Sequence, residues 1–332
     1  MKIGPLSLKN NLFLAPMLNI TTGPYRRFCR RLNNIGLVSV PMVYAKRIET
    51  NPKSVERDLH KVEQERPISI QIIGSNISAL KNSLDFLSSY EFDLLDINAG
   101  CPSRRAIKAK EGGYLLNDLH LLTSILKVVV KFSPQPVSLK IRIGFQNLDN
   151  FENLIQIIKN SEIALLIVHG RSVQDKFTNS TLNLEAIKRL KKALNIPVVG
   201  NGDIDNPVFA KKFIDYTKAD ALMIGRGSMG NPKIFTQIEN FFLNAELEKS
   251  ENNLIKMEQY ENLYEQSIDE YLFENTTLPY SPERYKFIEL KRNMIWLTKL
   301  IENSTHIRIK IAQSKNLNDL KERLSEIYNI TH

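Results

Sequence analysis

Cysteine is nearly absent from this chain: two in 332 residues, Cys29 and Cys101. Two distant thiols make neither a disulfide framework nor a four-ligand metal site. No uninterrupted apolar run approaches the length of a membrane span. Residues 1–17, MKIGPLSLKNNLFLAPM, lack the apolar core and small-residue cleavage site of a secretory signal. These absences lead us to expect a protein of the reducing cytoplasm, with no membrane and no metal. No GxGxxG follows the first apolar run, which argues against a dinucleotide-binding open sheet. Low-complexity segments are missing too, and no glycine follows residue 240. Acidic residues are outnumbered 36 to 45, a net charge of +9. That charge fits a polyanionic partner and fits a lysine-rich compositional bias equally well.

What is present is a rhythm. Short apolar runs at 12–15, 37–43, 68–72, 94–98, 137–141, 165–169, 197–200 and 221–225 read as strands. Amphipathic stretches at 78–89, 119–132, 150–160, 184–194 and 207–216 lie between them and read as helices. Strand–helix alternation implies right-handed crossovers and a parallel sheet. Eight strands in roughly 225 residues suit a closed (β/α)8 TIM barrel. The rhythm stops near residue 240. Segments 254–273, 282–300 and 317–328 read as helices of a smaller all-α domain. We therefore expect a barrel over 1–240 and a helical domain over 241–332. In the latter, Arg284, Lys286, Lys291, Arg292 and Lys299 are interleaved with Tyr285, Phe287 and Trp296. This suits RNA contact, and it suits an ordinary packed amphipathic helix equally.

In such a barrel the active site lies at the C-terminal ends of the strands, so those ends are a functional census. In strand order they are Pro16 and Met17; Gln71; Asn98 and Cys101; Lys140 and Arg142; His169 and Arg171; Asn201, Gly202 and Asp203; Gly225, Arg226 and Gly227. The last two loops suggest a phosphate site, because glycines allow close backbone approach and Arg226 adds a charge. Tight turns capped by Asp203 would look the same. Lys140 ends a buried strand, where an ammonium needs an anion. The anionic edge of a reduced flavin would serve, and so would a carboxylate from another strand. His169 reads as a general acid, a donor to a bound ring, or a core histidine. Four cations against one strand-end carboxylate fit an anionic ligand better than a metal.

The segments LAPMLNITTGPYRRFC (14–29), QIIGS (71–75), LDINAGCPS (95–103), LKIRIGF (139–145), IVHGRS (167–172), VVGNGDI (198–204) and ADALMIGRGSMGNPKIF (219–235) occur in order at strand-end spacing. Together they resemble the tRNA-dihydrouridine synthases, and look closest to the bacterial B-type branch. The resemblance implies an FMN enzyme, reduced by NADPH or NADH, that converts D-loop uridines of tRNA to dihydrouridine. It implies that Pro16, Met17 and Leu18 cover the flavin ring. Gln71, Lys140 and His169 would bind the ring. Asn201, Gly202, Asp203, Gly225 and Arg226 would hold the ribityl phosphate. Asn98, Arg142, His169 and Arg171 would lie near the uracil, with Arg104 and Arg105 on tRNA phosphate. Cys101 would be the catalytic proton donor: hydride reaches C6 from the flavin, and C5 takes a proton from the thiol. Arg26, Arg27, Arg30 and Arg31 offer a further basic patch or a solvated helix face. Cys29 is expected in the core. We expect a monomer whose partner is tRNA.

The sequence departs from the family pattern in four places. Val40-Pro41 stand where a glutamate is common, and Val173 replaces a basic residue. The segment 177–179 reads FTN without the usual glycine, and Lys233 replaces a tryptophan. These positions bear on how the substrate is placed. Two other classes stay open at this stage: an FMN barrel reducing a small pyrimidine-like molecule, and a non-catalytic RNA-binding relative.

Overall fold

The computed structural model describes residues 1–148, 150–244, 253–273, 275, 277–301 and 304–329. Parts of the expected helical domain, residues 245–252 and 330–332 among them, lie outside the described residues.

A short antiparallel hairpin, β1 (Lys2–Ile3) and β2 (Leu6–Ser7), precedes the barrel. Eight parallel strands follow: β3 (Leu12–Leu14), β4 (Val38–Tyr44), β5 (Ile68–Ile73), β6 (Leu94–Ala99), β7 (Val137–Arg142), β8 (Leu165–His169), β9 (Val198–Asn201) and β10 (Ala221–Ile224). Their order is β3-β10-β9-β8-β7-β6-β5-β4. A parallel bridge between Phe13 and Leu37 joins the two ends, with Leu14 N–H donating to Leu37 O at 2.9 Å. The expected (β/α)8 barrel is therefore what forms. A second apolar cluster fills its interior: Phe13, Leu94, Leu165, Ile167, Val199 and Met223, joined by Ile3 and Leu8 from the hairpin region. The hairpin thus plugs the end of the barrel opposite the strand C-termini, leaving the other end for chemistry.

The helices in chain order are α1 (Gly23–Leu32), α2 (Ala45–Thr50), α3 (Lys53–Leu59), α4 (Ile77–Leu87), α5 (Arg104–Lys108), α6 (Leu119–Phe132), α7 (Phe151–Lys159), α8 (Leu184–Ala193), α9 (Pro207–Thr217) and α10 (Ile234–Asn244). Local chemistry fixes their starts. Asn76, Asp118, Asn183 and Asn206 each accept from a backbone N–H three residues on, and Pro207 occupies the first turn of α9. The C-terminal helices are α11 (Asn253–Leu272), α12 (Pro282–Leu297), α13 (Thr305–Ala312) and α14 (Leu317–Tyr328). The hairpin, α2, α3, α5, α10 and α13 were not foreseen. All but α10 are short, and too few residues repeat in them for a period to show.

α11 packs along α1, so the bundle leans on the barrel. Tyr25 and Phe28 of α1 meet Tyr264 with ring centroids 6.4 and 5.2 Å apart. Cys29 is fully buried there, as expected, and burial pushes its thiol up to about 12. One expectation needs correcting. The arginines of α1 are not an open patch: Arg26 is 1% exposed and paired with Glu65 at 2.5 Å. Arg30 donates to Ile35 O and Pro67 O, and Arg31 pairs with Glu270 of α11. Of the two readings of α12, the contacts match the packed amphipathic helix. Lys286 pairs with Glu265 and Asp269, Arg292 with Glu289, and Lys291 donates to Ser314 O. Tyr285 is stacked on Tyr271. The physical reason is that a helix wedged between α11 and α14 turns Lys286 onto acids of α11 and Lys291 onto a carbonyl after α13, while Arg292 pairs within α12 itself. Arg284 lies over Tyr280 and pairs with no acid among the described residues.

Candidate active site

Strand pleating puts alternate residues into the barrel. On β6 these include Asp96 and Asn98, and on β7 Ser138, Lys140 and Arg142. Their side chains meet across the strand ends as polar groups.

The loop after β6 carries Cys101. Asn98 Oδ1 accepts from the backbone N–H groups of Gly100 (3.1 Å) and Cys101 (3.0 Å). Cys101 O accepts from Gly113 N at 3.0 Å. Gly112, at φ +59°, closes over the thiol residue; a Cβ there would sit 2.9 Å from the Cβ of Cys101. The chain is thus bent tightly on both sides of the sulfur, which stays partly exposed and lies 3.3 Å from Ser103 Oγ. Ser103 also caps α5 through Ala106 N. α5 carries Arg104 and Arg105, both exposed. Arg105 lies over the Tyr44 ring, 4.2 Å from its centroid.

Beside this loop the cations gather. Lys140 Nζ donates to Asn201 Oδ1 at 3.1 Å, and among the described residues no carboxylate lies within ion-pair distance of it. Burial pulls its ammonium down to about 8, against the field of Asp96. Asn201 donates to Met223 O, so it is held between strands. Arg142 is 3% exposed and ties loops together through Gly100 O, Ser172 O and Lys176 O. His169 is driven down to about 2 by burial and then by Arg142, Lys140, Arg171 and Arg226, so it is neutral. Its Nδ1 is buried without a partner.

Arg171 is fully buried. It donates to both Asp203 oxygens, to Thr178 O, Thr181 Oγ1 and Asn179 O. Four of its five N–H groups are engaged within the chain, and one Nη1 hydrogen remains. The Asp203 carboxylate is held below its ordinary range chiefly by the bond from Arg171. Arg226 takes the other side of Asp203 at 3.1 Å and stays exposed. Phe177, half exposed, lies under both Arg226 (4.6 Å) and Arg142 (5.2 Å) and meets His169 edge-on. Sequence reasoning had noted only the missing glycine in that segment.

The loops after β9 and β10 approach closely. Gly202 has φ +140°, and a Cβ on Gly227 would fall 2.1 Å from Ile204 O. Across from them, Met17 is pinned by Thr21, whose Oγ1 accepts from Met17 N at 2.9 Å. Its sulfur lies 3.4 Å from where a Gly225 Cβ would be. Pro16 is half-buried and Leu18 is exposed beside it.

The donor set fits a flavin phosphate. Among the described residues Lys140 lacks an anion, His169 Nδ1 lacks a partner, and Arg226 keeps donors free beside a glycine-lined cradle. Gln71 sits deeper, fully buried, with Nε2 on Asp96 and Oε1 on Asn98. One amide hydrogen and one lone pair remain to it. Asp96 and Ser138 were missed by sequence reasoning. Polar residues alternating at 96/98 and 138/140/142 inside apolar strands are the signal that could have found them.

The sequence model of the dihydrouridine synthase family matches residues 13–329. The chain belongs to the dihydrouridine synthase family. Like other members, it is an oxidoreductase acting on a CH–CH group. It is 39% identical over 248 residues to tRNA-dihydrouridine synthase B of Pseudomonas aeruginosa, covering 74% of each chain. It is 36% identical over 270 residues to tRNA-dihydrouridine synthase B of Shewanella oneidensis, covering 80% of this chain and 83% of that one. Solved structures share the barrel at low identity. Morphinone reductase superposes with a TM-score of 0.55 at 14% identity, over 76% of this chain and 90% of that one. Histamine dehydrogenase from a Rhizobium gives 0.57 at 11%, over 79% and 50%. These two show the fold. The match of this chain to the family runs on through α11–α14, so the helical part belongs to the family pattern as well.

Proposed function

We propose that this family member is an FMN-dependent tRNA-dihydrouridine synthase that reduces one or more D-loop uridines to 5,6-dihydrouridine, with NADPH or NADH as reductant. The observation that carries this reading is a partly exposed thiol, Cys101, on a tightly bent loop beside a buried cation that lacks an anion. Small-molecule reduction would need the cation and the thiol as well. The relatives named as tRNA enzymes, and a net charge of +9, favour the polyanion.

FMN, when bound, supplies the hydride for the uracil ring. Lys140 compensates negative charge at the ring edge. Neutral His169 offers a hydrogen bond rather than a charge. Gln71 and Asn201 keep these groups aligned. Asn201, Gly202 and Gly225, with Arg226, would hold the ribityl phosphate, and Pro16, Met17 and Leu18 would cover the ring. Asp203 takes a different part from a phosphate ligand, since its carboxylate already joins Arg171 to Arg226. Arg171 then acts by holding the 178–181 loop. Cys101 Sγ gives its proton to C5 of the base as charge develops there. Asn98 fixes the thiol loop, and Arg142 binds its carbonyl at residue 100. Arg104 and Arg105 are exposed next to the mouth, where phosphates of a tRNA with an extruded base would pass. The barrel over 1–240 carries the chemistry, and residues 241–332 steady the tRNA. The protein works as a cytoplasmic monomer.

The test is direct. Purified protein, NADPH and tRNA from a strain without dihydrouridine synthases are mixed, and dihydrouridine is mapped by mass spectrometry. A reductant-dependent gain at a D-loop site is expected. A yellow protein that oxidises NADPH and leaves tRNA unchanged would overturn the substrate assignment.

A further inference from the structure

Beneath the mouth, four side chains from three adjacent strands form one hydrogen-bonded chain. Ser138 Oγ donates to Asp96 Oδ1 at 2.6 Å. Gln71 Nε2 donates to Asp96 Oδ2 at 2.6 Å. Asn98 Nδ2 donates to Gln71 Oε1 at 2.8 Å. Asn98 Oδ1 receives the backbone N–H groups of Gly100 and Cys101. Asp96 is 1% exposed, Gln71 0%, and Asn98 7%.

The direction of this chain is forced from one end. Backbone N–H groups only donate, so Asn98 must turn its oxygen toward the Cys101 loop. Its NH2 then faces Gln71, which must answer with its own oxygen. Gln71 therefore points its NH2 inward, where residue 96 must accept. Remove that acceptor and a buried amide is left unpaired. The Gln71 amide then has reason to turn over. Once turned, it meets Asn98 donor to donor, and the bonds that bend the Cys101 loop are lost. Asp96 touches neither the mouth nor the thiol.

We infer that Asp96 is a positioning residue, which through Gln71 and Asn98 fixes the loop that presents Cys101 at the barrel mouth. This rests on the reading of Cys101 as proton donor for its effect on turnover, and on geometry alone for its effect on the loop. What matters is an acceptor at Oδ2, not a charge. An asparagine can accept from Gln71 and donate to Ser138 Oγ, whose own hydrogen can turn toward Leu95 O, 3.5 Å away.

The experiment compares Asp96→Ala, Asp96→Asn and the parent enzyme with FMN bound. One readout is kcat and KM for dihydrouridine-free tRNA. The other is the second-order rate of Cys101 alkylation by iodoacetamide, read by peptide mass spectrometry. Asp96→Ala should lower kcat by about 10²-fold, the scale of a misplaced reacting group. KM for tRNA should stay unchanged, and alkylation should speed up severalfold. Asp96→Asn should restore both. If Asp96→Ala does not fold, Gln71→Met cuts the same chain one link nearer the loop, and its alkylation rate should rise likewise. Parental kcat and alkylation in the alanine variant would overturn the inference. So would an asparagine variant as impaired as the alanine one, because charge would then be the operative property. Cys101→Ala is the control for the underlying reading. If it keeps turnover, the proton-donor role fails, and the alkylation rates still decide whether Asp96 holds the loop.

Discussion

Buried charge is treated in opposite ways at the seam between barrel and helical bundle and at the barrel mouth. At the seam the buried charges Arg26, Glu65 and Glu289 each meet a charge of opposite sign, although Arg30 Nε and Arg292 Nε are buried without a partner among the described residues. Arg26 meets Glu65 at 2.5 and 3.1 Å and also donates to Thr21 O. Glu289 receives Thr22 Oγ1, Tyr264 OH and Arg292. At the mouth, Lys140 has one neutral partner and His169 Nδ1 has none. Desolvating an ion is costly unless it is paired and hydrogen-bonded. The seam meets that condition with its own residues. The mouth leaves it to a ligand. One end of α1 therefore fastens two parts of the fold, while the strand ends a few residues away stay chemically open.

The sharpest way to break this contrast is at the thiol. Cys101→Ala should lose about 10²–10⁴-fold in uridine reduction, the usual scale of a general acid. Flavin content and urea unfolding should match the parent. A variant with full turnover would remove the mouth's claim to chemistry. Next in size is the seam. Glu65→Ala strands a buried guanidinium and should cost about 3–5 kcal/mol of stability in urea unfolding. The folded fraction should keep its flavin and its turnover.

Lys140→Met should do the reverse. Loss of a charge-assisted contact should weaken FMN affinity by about 1.5–3 kcal/mol. The flavin-free protein should be as stable as the parent or more so, because an uncompensated buried ion has gone. Equal flavin affinity in fluorescence titration would count against the ammonium as the ring's partner. The same group gives a pH signature. Its ammonium sits at about 8 in the free protein, so the charged form dominates below that pH. FMN affinity should fall as pH rises through 8 and should be flat from 6 to 7.5. The smallest effect concerns His169. Its folded pKa lies below its unfolded one, so between the two the unfolded state binds more protons. Its share of stability is complete above about 6.5. That share declines as the solution is acidified. A His169→Gln variant should lose that part of the acid slope, measured as unfolding free energy from pH 7 to 5.

Much of the fold was legible because strands and helices advertise their periods. All eight barrel strands lie within one or two residues of the apolar runs, and β8 and α6 match at both ends. The strand-end census collected the residues that line the mouth, since a parallel barrel carries each strand's C-terminus to one rim. Side-chain commitments were not legible. Arg171 looks like a ligand residue beside His169, and Asp203, from a different loop, takes two of its donors. Arg26 reads as surface among four arginines, yet Glu65 lies 39 positions away in sequence and against it in space. The cations and aromatics of α12 suit an RNA face and a packed helix equally in sequence, and only the contacts with α11 and α1 decide for packing.

Alternation of short apolar runs with amphipathic stretches was enough, by itself, to determine a parallel barrel with its chemistry at one rim. Periodicity and local backbone bonding act over neighbouring residues, and the sequence holds them completely. The motif residues likewise placed the chain in its family. Which charges are closed and which are open was decided only by the tertiary structure. So was the direction of the hydrogen-bonded chain from Asp96 to Cys101. Both depend on which strands and helices become neighbours once the sheet closes, and on backbone donors that fix each amide's orientation from a distance of several residues.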